Sequence, residues 1–528
     1  MAQNQQSAAA EPQWRPKFNP WLIALTVTLA SFMEVLDTSI ANVALPHIAG
    51  GLSASEDEST WVLTSYLVSN AIVLPLSGWL SFLLGRKRFY MTCVAMFTVS
   101  SFACGIAPTL ALLVLFRVLQ GVGGGGLQPS EQAILADTFP PRQRGMAFAI
   151  YGVAVVTAPA IGPTLGGWIT DHSSWRWIFF INIPVGIVSL ILTSFILEDP
   201  PYFVQEREQR LRSKLRVDYW GIIFVAIGLG FLQVVLDKGE RDDWWASNFI
   251  RVSALLAAAG LILAVYWELT RKDPVVDLSL LRDRNFGFAA LLMFMVGVVL
   301  LGSTVLIPQY LQLVMGYSAT AAGMALSPGG LLVMFMLPFV GFILGKVEAR
   351  WVIAVGLVIT SFALIHMTTF DTLMDFRHVV IARCFQAAGL ACLFVPINTA
   401  AYAFVPRNKN NAASGLINLG RNVGGSVGIS VVTTLLARRA QFHQTRLVEN
   451  ATPLNPLFNQ AVHAASQVMG PAAPPNSPYA LIMRSFEQQA NTLSYIDCFW
   501  LMGIVFGALT PVVFLMKKTA PGRAAAAH

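Results

Sequence analysis

The chain has 528 residues and a net charge of +7; only 12% of its residues are charged, whereas 55% are hydrophobic. Its mean hydropathy is +0.61. Since about a quarter of the residues in an average soluble protein are charged, this composition excludes a soluble enzyme, a disordered chain and a disulfide scaffold. It indicates a polytopic membrane protein.

Run lengths and breaking residues predict fourteen membrane-spanning helices of about 20 residues or more. The predicted spans cover 20–44, 60–84, 88–107, 109–134, 145–170, 176–197, 217–237, 248–269, 285–308, 322–345, 350–370, 377–402, 412–437 and 496–516. The run that begins at Trp21 is too long for a signal peptide and leads directly into further spans, so we expect it to be retained.

Lysine and arginine are distributed unequally between the two sides of this arrangement. With the N-terminus inside, 23 of the 35 basic residues lie on the cytoplasmic side, nine lie outside and three lie within spans. The positive-inside rule therefore predicts an even number of spans and places both termini in the cytoplasm. The basic stretch 207–216 is expected to lie at anionic lipid headgroups.

The fourth and twelfth predicted spans carry the same polar pattern. Arg117 and Gln120 are three residues apart in one span, as are Arg383 and Gln386 in the other, and each span then reaches a proline. This repeat indicates two six-helix halves with two extra helices between them, a 6+2+6 arrangement that is typical of duplicated transporters with a central site. Chance similarity between apolar helices is the alternative.

The predicted organisation has five parts. They are a cytoplasmic tail at 1–19, an N-terminal six-helix half at 20–197, a basic cytoplasmic linker with two extra helices and the following loop at 198–284, a C-terminal six-helix half at 285–516 that includes the outer loop 438–495, and a cytoplasmic tail at 517–528. The outer loop contains a Pro-rich stretch and a predicted helix at 478–495. We interpret this loop either as a docking element for a partner protein or as a solvated cap.

Three charged residues inside predicted spans are the main functional candidates, because charges within a bilayer are costly. Glu34 and Asp37 are three residues apart and share one face of the first span. Asp37 and Arg117 each lie ~10 Å from the outer end of their spans. We therefore expect a shared polar cavity in which these groups couple proton binding to transport. A static ion pair between two helices is the alternative.

Further polar residues are expected to line the same cavity. They are Asn42, Gln120, Glu131, Arg383, Gln386, Asn398, Asn418 and Arg421. Asn42 and Pro46 are predicted to close the outer end of the first span, and a purely capping role for the Asn42 amide is the alternative. Glu131 is interpreted either as a second titrating group or as a residue that faces the inner vestibule.

Metal, cofactor and nucleic-acid sites are not expected. The five cysteines fall in or beside apolar runs without C-x-x-C or Cys/His spacing, which favours simple packing. The glycine run Gly123 to Gly126 lacks the Gly-Lys-Ser/Thr of a phosphate loop and instead indicates close helix contact. No basic tract adjoins aromatic residues that would stack on bases.

Several motifs together resemble the major facilitator superfamily and, within it, the fourteen-span drug:proton antiporters. LDTSIANVALP at 36–46 is similar to the first-span motif of that branch, and residues 175–184, 277–280 and 418–428 resemble further signatures. Other matches fall at positions where the resemblance implies gating or conformational change. These are Gly78, Gly85, Arg86 and Lys87 around the loop after the second span, and Pro159, Gly162, Pro163, Gly166 and Gly167 in the fifth span.

The resemblance implies a non-enzymatic, proton-driven antiporter that exports hydrophobic or amphipathic toxic compounds from the bacterial inner membrane by alternating access. It also implies a tripartite pump with a periplasmic membrane-fusion adaptor and a TolC-type outer-membrane channel. The alternatives are a proton-coupled exporter or importer of a narrow metabolite or fatty acid, and a membrane-embedded enzyme. Two positions depart from the pattern: Phe82 replaces the loop-motif aspartate, and Glu34 stands where related pumps often have a neutral residue.

Overall fold

The computed structural model describes residues 16–518, with the exception of 213–217, 272–273, 373, 407–408, 450, 470–473 and 475–476. Within these residues all regular secondary structure is helical, which confirms the predicted class. Most of the N-terminal and C-terminal tails, the end of the basic stretch 207–216 and most of the Pro-rich stretch lie outside the described residues.

The helices up to the basic linker follow one another with short connections. They are α1 (Pro20–Gly51), α2 (Glu56–Ser59), α3 (Trp61–Leu84), α4 (Arg86–Ile106), α5 (Leu110–Gly124), α6 (Leu127–Thr138), α7 (Pro141–His172), α8 (Trp177–Phe180), α9 (Asn182–Ile196) and α10 (Pro201–Arg212). We call α1 to α9 the N-terminal set. Asn19 and Thr109 begin α1 and α5 because their side-chain oxygens accept hydrogen bonds from otherwise unpaired backbone N–H groups.

The helices after the linker include the longest ones. They are α11 (Tyr219–Lys238), α12 (Asn248–Thr270), α13 (Arg284–Gln309), α14 (Ala319–Leu344), α15 (Ala349–His366), α16 (Phe376–Ala401), α17 (Asn410–Val448), α18 (Pro456–Met469) and α19 (Ser477–Val513). We call α13 to α19 the C-terminal set. Asp218, Asp283 and Ser318 cap α11, α13 and α14 in the same way as the caps of the N-terminal set.

The chain is a multi-pass membrane protein. Twelve helical segments of the described residues are long and apolar enough to cross a bilayer, and the bent helix α7 makes a thirteenth when it is counted as one span. In this count α5 and α6 form one segment, as do α8 and α9. Helix α17 covers the predicted span 412–437 but is not among these segments, since polar residues such as Asn418, Arg421 and Asn422 interrupt its apolar run.

The first helix is longer than predicted. Helix α1 continues through Pro46 to Gly51, so the prediction that Asn42 and Pro46 close its outer end is wrong. A proline removes only its own N–H from the helix, and membrane helices accommodate this loss where neighbouring groups compensate. The Asn42 side chain is exposed and lies in the helix interior, which excludes the capping role as well.

The glycine run lies at a break between α5 and α6. A Cβ atom at Gly123 would lie 2.7 Å from the backbone nitrogen of Phe97 on α4, and one at Gly125 would lie 2.7 Å from the backbone oxygen of Asn70 on α3. Only glycine permits both approaches, because any side chain would separate the backbones. The predicted close helix contact is confirmed.

Helices α11 and α12 pack on each other, and α11 also packs against α3. A Cβ atom at Gly260 would lie 2.5 Å from the backbone nitrogen of Gly228, so these glycines allow the two helices to touch through their backbones. Helix α11 also reaches the C-terminal set, since Gln233 Nε2 donates a hydrogen bond to Ser426 Oγ at 2.8 Å. Helix α11 therefore contacts both sets, through α3 and α17.

The segment 438–495 is largely helical rather than an open loop. Helix α17 extends to Val448, α18 follows, and α19 begins at Ser477, which confirms the predicted helix at 478–495. Arg439 Nε donates to Asp497 Oδ2 at 2.5 Å, and His443 Nε2 lies 2.7 Å from the same oxygen. These contacts attach the end of α17 to α19.

Candidate functional site

Asp37 lies at the centre of a buried polar cluster in the N-terminal set. Its side chain, 2% exposed, accepts a hydrogen bond from Arg117 Nη1 at 2.6 Å. Gln120 Nε2 donates to Asp37 Oδ1 at 3.1 Å, and Asn182 Nδ2 donates to the same oxygen at 2.7 Å. The structure thus brings together Asp37 and Arg117, whose matching depths suggested a shared site, and adds Gln120 to them.

The Arg117 guanidinium is enclosed on every side. It is fully buried, its Nε donates to the backbone oxygen of Val62 at 2.9 Å, and its Cζ lies 4.3 Å from the centre of the Tyr66 ring. A cation above a ring face is stabilised by the ring's quadrupole. Tyr66 therefore supports the positive charge while Asp37 neutralises it.

Two residues of this cluster, Asn182 and Ser101, were not predicted from the sequence. Asn182 Nδ2 and Gln120 Nε2 both donate to Ser101 Oγ, at 2.9 and 3.2 Å. Asn182 belongs to the motif at 175–184 and is a polar residue within an apolar run. Such a residue is a signal from which membership of an intramembrane site could have been predicted. Ser101 carries no such signal, because serines are common in apolar helices.

Glu34 occupies a separate cluster next to that of Asp37. Gln128 Nε2 donates to Glu34 Oε2 at 2.7 Å, and Asn70 Nδ2 donates to Oε1 at 3.1 Å. The Tyr66 hydroxyl lies 3.3 Å from Oε1, so the same tyrosine touches Glu34 and lies beneath Arg117. No cation bonds directly to the Glu34 carboxylate among the described residues.

Gln128 links Glu34 to the C-terminal set. Its Oε1 accepts hydrogen bonds from Arg421 Nη2 and, at 2.9 Å, from the Tyr151 hydroxyl. Tyr151 also contacts Arg421 Nη1 at 3.2 Å and Asn418 Oδ1 at 3.3 Å. Arg421 and Asn418 therefore bind residues of the N-terminal set, and the network Glu34–Gln128–Arg421 crosses the junction between the two sets.

Arg383 and Gln386 form a second Arg-x-x-Gln pair in α16. Arg383 Nη1 donates to Gln386 Oε1 at 2.7 Å and to Ser303 Oγ on α13 at 3.2 Å. The Arg383 side chain lines a small cavity between α7 of the N-terminal set and α13, α14 and α16 of the C-terminal set.

The remaining predicted lining residues lie elsewhere. Asn398 is buried and donates to the Phe394 backbone oxygen of its own helix at 2.9 Å. Glu131 is fully buried and accepts a hydrogen bond from the Thr28 hydroxyl at 2.5 Å, so it does not face a vestibule in this conformation. Asn42 is exposed. The cavity beside Arg383 is not lined by Asn398, Glu131 or Asn42. The described residues contain no group of three or more potential metal ligands.

The loop motif after α3 connects several helices. Gly85 has φ of +91°, a conformation that favours glycine, and lets the chain turn sharply from α3 into α4. Arg86 is buried and pairs with Asp137 at the end of α6, while Lys87 Nζ donates to the backbone oxygen of Ser194 at 2.7 Å. Asp137, which the sequence analysis missed, thus supplies the carboxylate that pairs with Arg86.

The two sets meet closely at the end of the molecule that carries this loop. A Cβ atom at Gly78 would lie 2.9 Å from the backbone of Ala412, and Asn411 Nδ2 donates to Ser81 Oγ at 2.8 Å. Asn410 Nδ2 donates to Asp137 Oδ1 at 2.7 Å. The beginning of α17 is therefore bonded directly to the N-terminal set.

Outside the spans, Asp277 ties the loop before α13 to the beginning of α17. Lys409 Nζ donates to Asp277 Oδ2 at 2.6 Å. Burial raises the pKa of this carboxyl, but the hydrogen bonds from Lys409 and Ser279 outweigh it and hold the pKa below its usual value. Asp277 is therefore charged at neutral pH.

The small residues of α7 have different surroundings. The helix bends by 44° between Pro159 and Ile161. A Cβ atom at Gly162 would lie 2.4 Å from Ser39 Oγ of α1, and one at Gly166 would lie 3.1 Å from Ile40. A Cβ atom at Gly167 would have no neighbouring atom within 4 Å. Gly162 and Gly166 therefore bring α7 against the segment of α1 that follows Asp37.

Gly162→Ala should destabilise the protein, whereas Gly167→Ala should not. The added methyl group at Gly162 must displace Ser39 or the α1 backbone, and overpacking of this kind costs about 1–3 kcal/mol. At Gly167 the methyl group meets open space and improves the helix propensity by about 1 kcal/mol. We expect a lower thermal midpoint for Gly162→Ala only, measured on purified protein by tryptophan fluorescence; equal midpoints for both variants would contradict the close α1–α7 contact.

Comparison with known proteins agrees with this architecture. The Major Facilitator Superfamily model matches residues 27–436. The multidrug export protein EmrB of Haemophilus influenzae is 38% identical over 497 residues, which cover 94% of this chain and 95% of that protein. The fatty acid resistance protein FarB of Neisseria gonorrhoeae is 37% identical over 496 residues, which cover 94% of this chain and 96% of FarB.

A solved structure shares the fold at low identity. The proton:xylose symporter XylE bound to a glucose derivative superimposes with a TM-score of 0.62 at 14% identity, covering 96% of this chain and 97% of XylE. The resemblance to this superfamily inferred from the motifs is thus confirmed, and the likeness to EmrB extends over nearly the whole chain. The chain belongs to the major facilitator superfamily.

Proposed function

We propose that this protein is a multidrug efflux antiporter that exchanges protons for hydrophobic or amphipathic compounds. The observation that carries the proposal is Asp37, a buried carboxylate bonded to Arg117 and two amides inside a transporter fold. Relatives that align over nearly the full chain are named multidrug export proteins. Since the superfamily consists of transporters, an enzymatic activity is not part of the proposal.

Protonation of Asp37 is the proposed coupling step. A proton on the carboxylate removes its charge, so the ionic attraction to Arg117 disappears while Gln120 and Asn182 retain their amide donors. Arg117 is then a buried cation without a counter-ion, which favours a rearrangement of α5 relative to α1. One proton that enters the cell releases about 2.3 kcal/mol per 100 mV, which supports roughly a 50-fold gradient of a neutral compound.

The network Glu34–Gln128–Arg421 is the proposed connection between this step and alternating access. Glu34 is one helical turn from Asp37 on α1, and Gln128 bonds both Glu34 and Arg421 of α17. A shift of α1 that follows protonation of Asp37 changes the distance between Glu34 and Gln128. The shift is thereby transmitted to the junction between the two sets, where closure and opening must occur.

The proposed topology has fourteen spans in a 6+2+6 arrangement, with α17 as a span and α11 and α12 as the extra pair. Its support is the packing of α17 against α13, α19 and α3, which are all long apolar helices. The excess of basic residues supports a cytoplasmic position for both termini and for the end that carries the α3–α4 loop. The likeness to EmrB supports a bacterial inner membrane as the location. In this orientation the contacts of Gly78 and Asn411 close the cytoplasmic side.

A tripartite assembly with an EmrA-like periplasmic adaptor and a TolC-type outer-membrane channel is part of the proposal. Its support is the likeness to EmrB and the helical segment between α17 and α19. Helix α18 exposes Leu457 and Val468, which lie on the outer side in the proposed topology. Exposed apolar residues on such an element favour contact with a partner protein.

Export of a fatty acid or another narrow metabolite is the second candidate. It is favoured by the 37% identity to a fatty acid resistance protein and by Arg383, a cation that lines the cavity between the two sets. This alternative uses the same fold and the same proton-coupling cluster, and it differs only in the compound carried.

Inside-out vesicles energised by respiration provide the test. An efflux antiporter must accumulate its substrate in these vesicles and release protons from them at the same time. We expect uptake of several labelled hydrophobic drugs together with partial loss of the pH gradient, neither of which occurs in vesicles without the protein. Uptake of fatty acids alone would favour the narrow exporter, and accumulation only in right-side-out vesicles would indicate an importer and contradict the proposal.

A further inference from the structure

Arg383 is a buried cation without a bound carboxylate. Its side chain lies in a span and is only 7% exposed, and its two hydrogen bonds through Nη1 go to the neutral groups Gln386 Oε1 and Ser303 Oγ. Arg383 Nε and Gln386 Nε2 have no hydrogen-bond partner among the described residues. A buried charge without a counter-ion is costly. The position of Arg383 therefore indicates a ligand that supplies the missing negative charge.

Comparison with the Asp37 cluster shows that Arg383 lacks a carboxylate partner. In both clusters the arginine Nη1 donates to the Oε1 of a glutamine three residues later, at 2.7 Å in each case. In the N-terminal set Arg117 also binds the Asp37 carboxylate at 2.6 Å, whereas Arg383 meets only the Ser303 hydroxyl at 3.2 Å. Helix α13 therefore offers a hydroxyl where α1 offers a negative charge.

The surroundings of Arg383 are apolar and lie between the two sets. The cavity that its side chain lines is bounded by Val156 and Pro159 of α7, Leu326 and Val333 of α14, and Leu390 of α16. None of the cavity's lining residues is acidic. One cation at the edge of an apolar wall matches a molecule with an anionic head and an apolar body.

Gly329 of α14 leaves room for the arginine. A Cβ atom at this position would lie 3.2 Å from Arg383 Cγ and 3.4 Å from the Ala387 side chain. In this conformation the cavity has room for roughly one water molecule. An amphiphile can therefore occupy it only when α7 and α14 move apart, as alternating access requires.

We propose that Arg383 binds the anionic head group of amphipathic substrates, with their apolar part against α7 and α14. The substrate supplies the negative charge that Ser303 does not. This inference rests on the proposed efflux function and specifies one substrate class for its central site, namely single-chain anionic amphiphiles.

Ser303→Asp is the decisive variant, because its carboxylate would reach the Arg383 guanidinium and neutralise it from within the protein. Ser303→Asn is the matched control, since asparagine has nearly the same shape but no charge. Two permanently charged probes with the same chain, dodecylsulfonate and dodecyltrimethylammonium, separate the effect of head-group charge from that of apolar contact. Their radiolabelled uptake is measured at submicellar concentration in proteoliposomes with an imposed pH gradient.

We expect the ratio of anion to cation uptake to fall by about tenfold or more in Ser303→Asp relative to Ser303→Asn, because a hydrogen-bonded charge pair is lost. Equal ratios in the two variants would overturn the inference. If Ser303→Asp does not fold, Arg383→Gln must lower the same ratio relative to the unmodified protein. A charge effect that occurs only in vesicles with phosphatidylglycerol would assign Arg383 to a lipid head group and would also overturn it.

A binding measurement separates this inference from the proposed function. Titration of the purified protein with dodecylsulfonate, followed by tryptophan fluorescence, reports occupancy without transport. If the unmodified protein binds dodecylsulfonate and Ser303→Asp does not, the site assignment stands even when neither probe is transported, and the efflux function alone fails. If neither protein binds it, the assignment of Arg383 fails whatever the transport result.

Discussion

Asp37→Asn should reduce export of every substrate to the level of vesicles without the protein. The variant retains an amide that Gln120 and Asn182 can contact, but it carries no titratable group opposite Arg117. Proton binding at this position is then impossible, and the proposed exchange loses its driving force. The measurement is labelled-substrate uptake into energised inside-out vesicles, with equal amounts of protein in the membrane.

A second variant distinguishes coupling from a static ion pair. Removal of one partner of a buried pair costs about 3–5 kcal/mol because the other charge is left uncompensated, so Asp37→Asn alone is also expected to lower stability. The double variant Asp37→Asn/Arg117→Gln removes both charges. If the pair were only structural, the double variant would recover both stability and export. We expect it to recover stability but not export.

Asp171→Asn is the control for the loss of an aspartate as such. Asp171 is exposed near the end of α7 and is not among the hydrogen-bond partners of Asp37. The Asp171→Asn variant should export substrate at the same rate as the unmodified protein. Normal export by Asp37→Asn would show that the proton enters elsewhere, and the coupling role would then have to be sought at Glu34 or Glu131, two further buried carboxylates of the N-terminal set.

A disulfide between positions 145 and 344 should stop transport, and its reduction should restore it. A Cβ atom at Gly145 of α7 would lie 3.4 Å from the Leu344 Cβ of α14, close to the distance that a disulfide requires. Gly145→Cys/Leu344→Cys therefore joins the N-terminal and C-terminal sets at the end that carries the α3–α4 loop. Alternating access needs the sets to separate at this end, so the oxidised form is expected to be inactive.

The matched control joins two helices of the same set. A Cβ atom at Gly507 of α19 would lie 3.9 Å from the Ser361 Cβ of α15, so Ser361→Cys/Gly507→Cys offers equally good disulfide geometry. Both pairs are made in a variant from which the five native cysteines have been removed. We expect oxidation to block uptake only in the 145/344 variant. Undiminished uptake after complete cross-linking of that pair would contradict separation of the sets along α7 and α14.

The sequence alone predicted the membrane class, most helix positions and the meeting of Asp37, Arg117 and Gln120. Run length determines where an apolar helix can cross a bilayer, because every backbone group must be satisfied within the segment. Depth in a span follows from the residue count at 1.5 Å per residue, so the sequence alone is enough to pair charged groups at matching depths. The glycine run was correctly interpreted as close helix contact.

The partners of these groups depended on tertiary structure. A residue count gives depth in the membrane but not the rotation of a helix or the identity of its neighbours, and in lipid most helix faces are equally apolar. For this reason only the packed structure separates Glu34 from the Asp37 cluster, provides Asp137 as the partner of Arg86 and removes Asn42 and Glu131 from the cavity.

The same limit explains the most informative difference between the two Arg-x-x-Gln pairs. Their sequences are alike, and nothing in α16 itself reveals whether a carboxylate faces Arg383. That depends on the rotation of α13, which presents Ser303 at the position where α1 presents Asp37. The sequence by itself thus determined that both arginines lie within spans. Only the packing of neighbouring helices decided that Arg117 bonds a carboxylate and that Arg383 bonds the neutral groups of Ser303 and Gln386.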